Sequence, residues 1–134
     1  MSIRSDKQFD RLLSNPLFER EELMLLAFAR KTLTPERWMK GSVRGQLGEE
    51  PDDEKDPICI QGALQEVMRT NGFSATIKRR AEALLNIACD EDKKSFRYQS
   101  FNDRSETKYE DVHRIITLAI TLGLKQPELT QSVK

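Results

Sequence analysis

The sequence has few of the residues that build metal sites, and it has no long apolar run. Its 134 residues include two cysteines and one histidine, with no CxxC pair, so we expect no metal site. The longest apolar run, residues 23–29, is far shorter than the ~20 residues that span a bilayer. Residues 1–7 lack the apolar core of a signal peptide. We therefore expect a cytoplasmic protein with no membrane anchor and with reduced cysteines.

Net charge and common catalytic motifs are also lacking. Lys+Arg and Asp+Glu both number 22, so no overall field attracts nucleic acid or anionic lipid. The sequence contains no Walker loop, GxSxG, HExxH or dinucleotide fingerprint, and we expect no cofactor. The balanced net charge also disfavours nucleic-acid binding. If it occurs, the basic residues that would carry it are Lys78, Arg79, Arg80 and Arg104.

Helical periodicity is the main signal that is present. The charged fraction of 33% exceeds the typical ~25% and suits small helices with charged outer faces. We predict a mainly α fold, a compact single-domain bundle of about five helices over residues 1–124, with a frayed tail over residues 125–134. Residues 48–56 predict a mobile acidic loop. A calcium loop is the alternative, but its spacing and its glycine are missing.

Residues 56–72 carry the clearest start and stop signals of a helix. Asp56 suits the N-cap and Pro57 the first helical position, and Gly72 suits a left-handed exit. Gly62 lies inside, where glycine costs roughly 0.5–1 kcal/mol relative to alanine. We infer that another backbone segment lies against it. Four apolar residues share the nearly opposite face: Ile60, Ala63, Leu64 and Val67.

Capping signals predict further helices. Residues 5–13 and 16–31 form two, and Thr34 opens a shorter element that carries Trp38, the only tryptophan. Ser74 caps another long helix, and a capping box that begins at Thr107 starts the last one, which we expect to end at Gly123. Phe96, Tyr98 and Phe101 alternate with polar residues. This alternation predicts an extended segment over residues 96–101 that could pair with residues 38–47 as a minor two-stranded β-ribbon.

Three short motifs, in this order, resemble a family of small uncharacterised bacterial and phage domains. They are Trp38-Met-Lys-Gly41, Cys59-Ile-Gln-Gly-Ala-Leu64 and Phe101-Asn-Asp103. The resemblance covers roughly residues 20–122. It implies a shared architecture and leaves the function open, because the family brings no biochemical activity that can be carried over. Its phage-linked relatives suggest a role in modulating host factors or defence. This chain has Phe101 where that family commonly has tryptophan, and a longer acidic insertion before Cys59.

The same motifs predict one packed junction. Trp38 has a large apolar surface and an N–H that needs a partner. Asn102 and Asp103 have short side chains that can bond to nearby backbone and stabilise a turn. We interpret these residues first as structural. The second hypothesis is a ligand or partner surface that also includes Arg104. By elimination, we predict a non-enzymatic binding or regulatory protein that acts through a protein partner. A second copy of the chain, in a homodimer, is one such partner.

A cysteine-dependent enzyme is a further hypothesis. Cys59 is expected in the first turn of a helix, where the helix dipole lowers the pKa of a thiol. His113, the only histidine, could act as its base, with Asp103 or Asp111 to orient it. Against this, Cys59 lies beside the apolar face, which predicts burial. We favour the non-enzymatic interpretation.

Overall fold

The computed structural model describes residues 20–39, 58–92, 97–104, 106–131 and 133. This part of the chain confirms the predicted mainly α bundle. The helix predicted at residues 5–13 and the acidic loop at 48–56 lie outside it. Its five α-helices are α1 (Glu21–Thr32), α2 (Ile60–Asn71), α3 (Ala75–Glu91), α4 (Tyr98–Asp103) and α5 (Tyr109–Lys125), and a short 3-10 helix (Pro127–Thr130) follows them.

Helix α1 lies at the centre of the bundle. It packs against α2, α3 and α5, and α3 packs against α5. Its sequence is apolar around most of its circumference, as expected for a helix with several neighbours. The apolar residues that it buries are Leu23, Leu25, Leu26, Ala27 and Ala29.

Helix α2 confirms the predicted buried face and the predicted exit. Its four apolar face residues are at most 3% exposed, and Gly62, on the other side, is also buried. Gly72 has φ 73°, and its N–H donates to the Met68 carbonyl. The helix is therefore covered on two sides. A backbone segment against Gly62 stays a prediction.

The predicted start of α2 at Pro57 was wrong. Residue 57 lies outside the described part, but Ile58 is bridged to Trp38 in the parallel sense. The Ile58 N–H donates to the Arg37 carbonyl at 2.9 Å, and the Met39 N–H donates to the Ile58 carbonyl at 3.0 Å. Because this bridge keeps the chain extended, the helix begins only at Ile60, with Cys59 as its N-cap.

The extended segment predicted for residues 96–101, and with it the β-ribbon, was also wrong. Tyr98–Asp103 is the short helix α4, and its first N–H, from Tyr98, donates to Oδ1 of Asn86 at 2.9 Å. Tyr98 and Phe101 are both at most 1% exposed. Their spacing of three residues places them on one helix face. The alternation around Phe96 was therefore a misleading signal for a strand.

The helix caps agree with the sequence in one case and are shifted in the other. Ser74 Oγ accepts a hydrogen bond from the Ile77 N–H at 3.2 Å, which confirms it as the N-cap of α3. The capping box of α5 lies one residue later than predicted, because the Asp111 carboxylate accepts from the Lys108 N–H at 3.0 Å. Thr107 instead donates its hydroxyl to the Phe101 carbonyl at 2.7 Å.

The C-terminal end of the bundle differs from the prediction. Helix α5 continues past Gly123 to Lys125, and Gly123 is a site of close packing: a Cβ atom there would lie 2.6 Å from Leu23 and 3.0 Å from Leu84. The residues after it include the short 3-10 helix, and the frayed tail stays a prediction. Thr130, in the 3-10 helix, is 2% exposed because its hydroxyl bonds to the Glu22 carboxylate at 2.8 Å.

Candidate functional site

The side-chain amide of Asn102 connects the three motif segments. Its Oδ1 accepts a hydrogen bond from the indole N–H of Trp38 at 2.7 Å and another from the backbone N–H of Ile60 at 3.3 Å. Its Nδ2 donates to the Met39 carbonyl at 3.2 Å. One buried amide therefore joins the tryptophan segment, the start of α2 and the end of α4. We call this arrangement the Asn102 junction.

The chain around Asn102 explains why the amide points inward. Asn102 is the penultimate residue of α4 and is 2% exposed. Thr107 is 5% exposed, and its hydroxyl donates to the Phe101 carbonyl at 2.7 Å and so satisfies a helix-end acceptor. This contact closes the turn between α4 and α5. It also fixes the end of α4 from which the amide projects.

The predicted surface residues divide into two groups. Asp103 Oδ1 accepts from Asn102 Nδ2 at 2.9 Å while the residue remains exposed, and Trp38 is half-buried at the same junction. Arg104 is exposed and forms an ion pair with Glu106. The structure thus brings Trp38, Asn102 and Asp103 together. Arg104 is the next residue in the chain, but its charge pairs with Glu106 instead.

Cys59 is a buried N-cap residue. It is 5% exposed, and burial is the largest influence on the pKa of its thiol, which is raised from the ordinary value. The backbone N–H groups of Gly62 and Gln61 oppose this rise, and the charge of Asp103 adds to it. The dipole effect expected from the sequence is therefore outweighed. A raised pKa leaves the thiol protonated at neutral pH, the form that is a poor nucleophile.

His113 lies on α5 next to Tyr109, with ring centroids 6.0 Å apart. The groups with the largest effects on the pKa of Cys59 do not include His113. Asp111, the other predicted orienting residue, accepts from the Lys108 N–H and pairs with Arg114 at 3.4 Å. These contacts lend no support to a Cys59–His113 pair.

The basic residues at positions 78–80, which were considered for nucleic-acid binding, contact other groups of the same chain. Lys78 Nζ lies 3.9 Å from the Glu82 carboxylate, and Arg80 Nε donates to the Val133 carbonyl at 3.1 Å. Arg79 donates to the Thr76 hydroxyl at 3.0 Å. Part of the charge at residues 78–80 is therefore used within the molecule.

A salt bridge near the junction was not predicted from the sequence. Arg37 Nη1 and Nη2 each donate to one oxygen of Glu66, both at 3.2 Å. The two side chains are 10% and 13% exposed. This bidentate pair ties the segment before Trp38 to the middle of α2. The two residues are 29 positions apart in the chain, and no local pattern in the sequence marks such a pair.

Among the residues that the structure describes, no group of three or more His, Cys, Asp or Glu side chains could bind a metal ion. In the same part of the chain, none of the helices combines the length and the apolar character that a membrane span requires.

The chain belongs to a family of unknown function, DUF6197, whose model matches residues 20–122. This confirms the resemblance to an uncharacterised domain, and the matched range includes all three motif segments. A comparison with curated proteins gave no significant match, and a comparison with solved structures gave none either.

Proposed function

We propose that this protein is a non-enzymatic binding or regulatory protein that acts through contacts with a protein partner. The observation that carries the proposal is the Asn102 junction. Its buried polar groups bond to one another and to the backbone, with donor–acceptor distances of 2.7–3.3 Å. Such an arrangement fixes the shape of the surrounding surface and leaves its buried polar groups satisfied.

The surface beside the junction has the composition of a small contact site. Trp38 is half-buried, and Asp103 and Arg104 are exposed. Tryptophan and arginine are enriched at protein interfaces, where a rigid aromatic surface loses little entropy on binding. We extend the proposal to a partner among host or defence factors, on the basis of the resemblance to bacterial and phage domains alone. A second copy of the chain is the other candidate partner.

Affinity purification from the native cell tests this proposal. The bait is the full chain, in three forms: wild type, Arg104→Ala, and Lys125→Ala as the matched control. Arg104 lies beside the junction, whereas Lys125 is an exposed cation at the end of α5. We expect one protein to elute in stoichiometric amount with the wild type and the control, and to be depleted at least severalfold with Arg104→Ala.

Two results would contradict the proposal. In the first, no protein elutes with the wild type above the level of an unrelated bait. In the second, a partner elutes equally with all three forms, which would locate the contact elsewhere. Size-exclusion chromatography with light scattering on the purified chain distinguishes a homodimer from a heterologous partner.

A further inference from the structure

The residues after α5 pack against the surface of the helix bundle. We name residues 126–131, together with Val133, the C-terminal strap. The strap follows the end of the family match at residue 122 and contacts α3 and α5. Its only fully buried described residue is polar, Thr130 at 2% exposure. Leu129 is half-buried against the core, and most of the other strap residues are exposed.

A charged pair at the start of α1 anchors the strap. Thr130 Oγ1 donates to Glu22 Oε2 at 2.8 Å and accepts from Arg20 Nη2 at 2.9 Å. Arg20 also donates to Glu22 Oε2 at 2.9 Å and to the Gly123 carbonyl. At the other end of the strap, the Val133 carbonyl accepts from Arg80. Three hydrogen bonds to charged side chains, those of Glu22, Arg20 and Arg80, therefore do most of the anchoring.

Glu22 remains ionised in this setting although it is 4% exposed. Burial acts to raise its pKa, but the hydrogen bonds from Arg20 and Thr130 outweigh burial, and the net pKa is lowered. When the strap lifts, water reaches the Arg20–Glu22 pair and hydrates it, which offsets part of the bonding that is lost. Among the described strap residues, Leu129 is the one hydrophobic residue that packs against the core, and it is only half-buried. Such a segment is expected to open well below the free energy of global unfolding.

We propose that the C-terminal strap is a conformational device that detaches as a unit, while the five helices stay folded, and thereby uncovers the Arg20–Glu22 pair. The Glu22 carboxylate sets how firmly the strap is closed. The strap itself lies beyond the residues that the family model matches, whereas its anchors Arg20, Glu22 and Arg80 lie within them. The proposal does not depend on the function proposed for the Asn102 junction.

Hydrogen exchange of the full chain, followed by mass spectrometry, tests the strap directly. The amides of Gln126, Leu129, Gln131 and Val133 are hydrogen-bonded in the closed form and report opening. In the wild type we expect them to exchange faster than the amides in the interior of α5. Glu22→Gln should raise strap exchange about tenfold, because it removes the charge from the shared acceptor, and should leave α3 and α5 unchanged.

Thr130→Val serves as a second variant and should give the same local increase. Glu21→Gln is the matched control, because Glu21 is an exposed acid at the neighbouring position, and it should change nothing. The proposal is overturned if the strap exchanges as slowly as the interior of α5 in the wild type. It is equally overturned if both variants leave strap exchange unaltered, or if both accelerate exchange throughout the helices.

Discussion

Asn102 illustrates how one side-chain amide can serve several segments at once. It accepts two hydrogen bonds and donates to Met39 and Asp103, so both of its polar atoms are used. The sequence indicated that Trp38, Asn102 and Asp103 would meet, because short polar side chains and an indole N–H need partners. It could not indicate that Ile60 would share the same oxygen, because that contact depends on where α2 begins.

Replacing Asn102 by alanine should lower the free energy of unfolding by about 2–4 kcal/mol, because it leaves buried donors and an acceptor without partners. Urea denaturation followed by circular dichroism measures the change. The control is Asp103→Asn, which keeps an acceptor at an exposed position and should cost less than about 0.5 kcal/mol. Equal effects of the two substitutions would mean that the junction contributes little.

The raised pKa of Cys59 predicts a slow thiol. In a Cys89→Ser background, which leaves one cysteine, iodoacetamide at neutral pH should alkylate the folded protein at least tenfold more slowly than the urea-unfolded protein. The ratio is measured by mass spectrometry over time. Rapid labelling of the folded protein would contradict the observed burial and would restore the cysteine-enzyme hypothesis.

Because of Cys89, we expect the free energy of unfolding to fall at alkaline pH. Burial, then the charge of Asp92, raises its pKa from 9.0 to about 12. Between these values the unfolded chain has lost the thiol proton and the folded chain has kept it, so stability falls as pH rises. The loss should reach about 2 kcal/mol by about pH 10.5. Urea titrations across pH on Cys89→Ala should show a correspondingly shallower decline, whereas an identical decline would contradict the assignment.

At the scale of the elements, helix ends were the least predictable feature. The sequence located Ser74 and Gly72 correctly because each acts through its own neighbours. It misplaced the start of α2, where a bridge to Trp38 keeps Ile58 extended. It also misassigned α4, a helix of only six residues. In both cases tertiary contacts override the local preference.

Alanine substitutions at Gly72 and Gly123 should each lower the free energy of unfolding, but by different mechanisms. Gly72 has φ 73°, and no atom lies within 4 Å of where a Cβ would be added. Gly72→Ala should therefore cost about 1 kcal/mol through backbone strain alone. Gly123→Ala places its Cβ 2.6 Å from Leu23 and should cost about 1–3 kcal/mol through overpacking.

Urea denaturation measures both costs, and a compensating variant separates the two mechanisms. Leu23→Ala removes the clashing side chain, so its effect should be strongly non-additive with Gly123→Ala and additive with Gly72→Ala. Additivity in both pairs would contradict the close contact between α1 and α5.

In the molecule as a whole, α1 lies at the centre and packs against α2, α3 and α5. The apolar circumference of α1 and the two-sided burial of α2 were both visible in the sequence, since they follow from helical periodicity. The long-range polar contacts were not visible. Arg37 with Glu66 and Thr130 with Glu22 join residues 29 and 108 positions apart, and residue type alone does not select such partners.

We expect the three motif segments to form one energetically coupled junction at Asn102. A double-mutant cycle with Trp38→Phe and Asn102→Ala measures this coupling by urea denaturation, with circular dichroism as the probe because Trp38 is the only tryptophan. The shared hydrogen bond predicts a coupling energy of about 1–2 kcal/mol. A coupling energy below about 0.3 kcal/mol, within the additivity expected of independent sites, would contradict the junction.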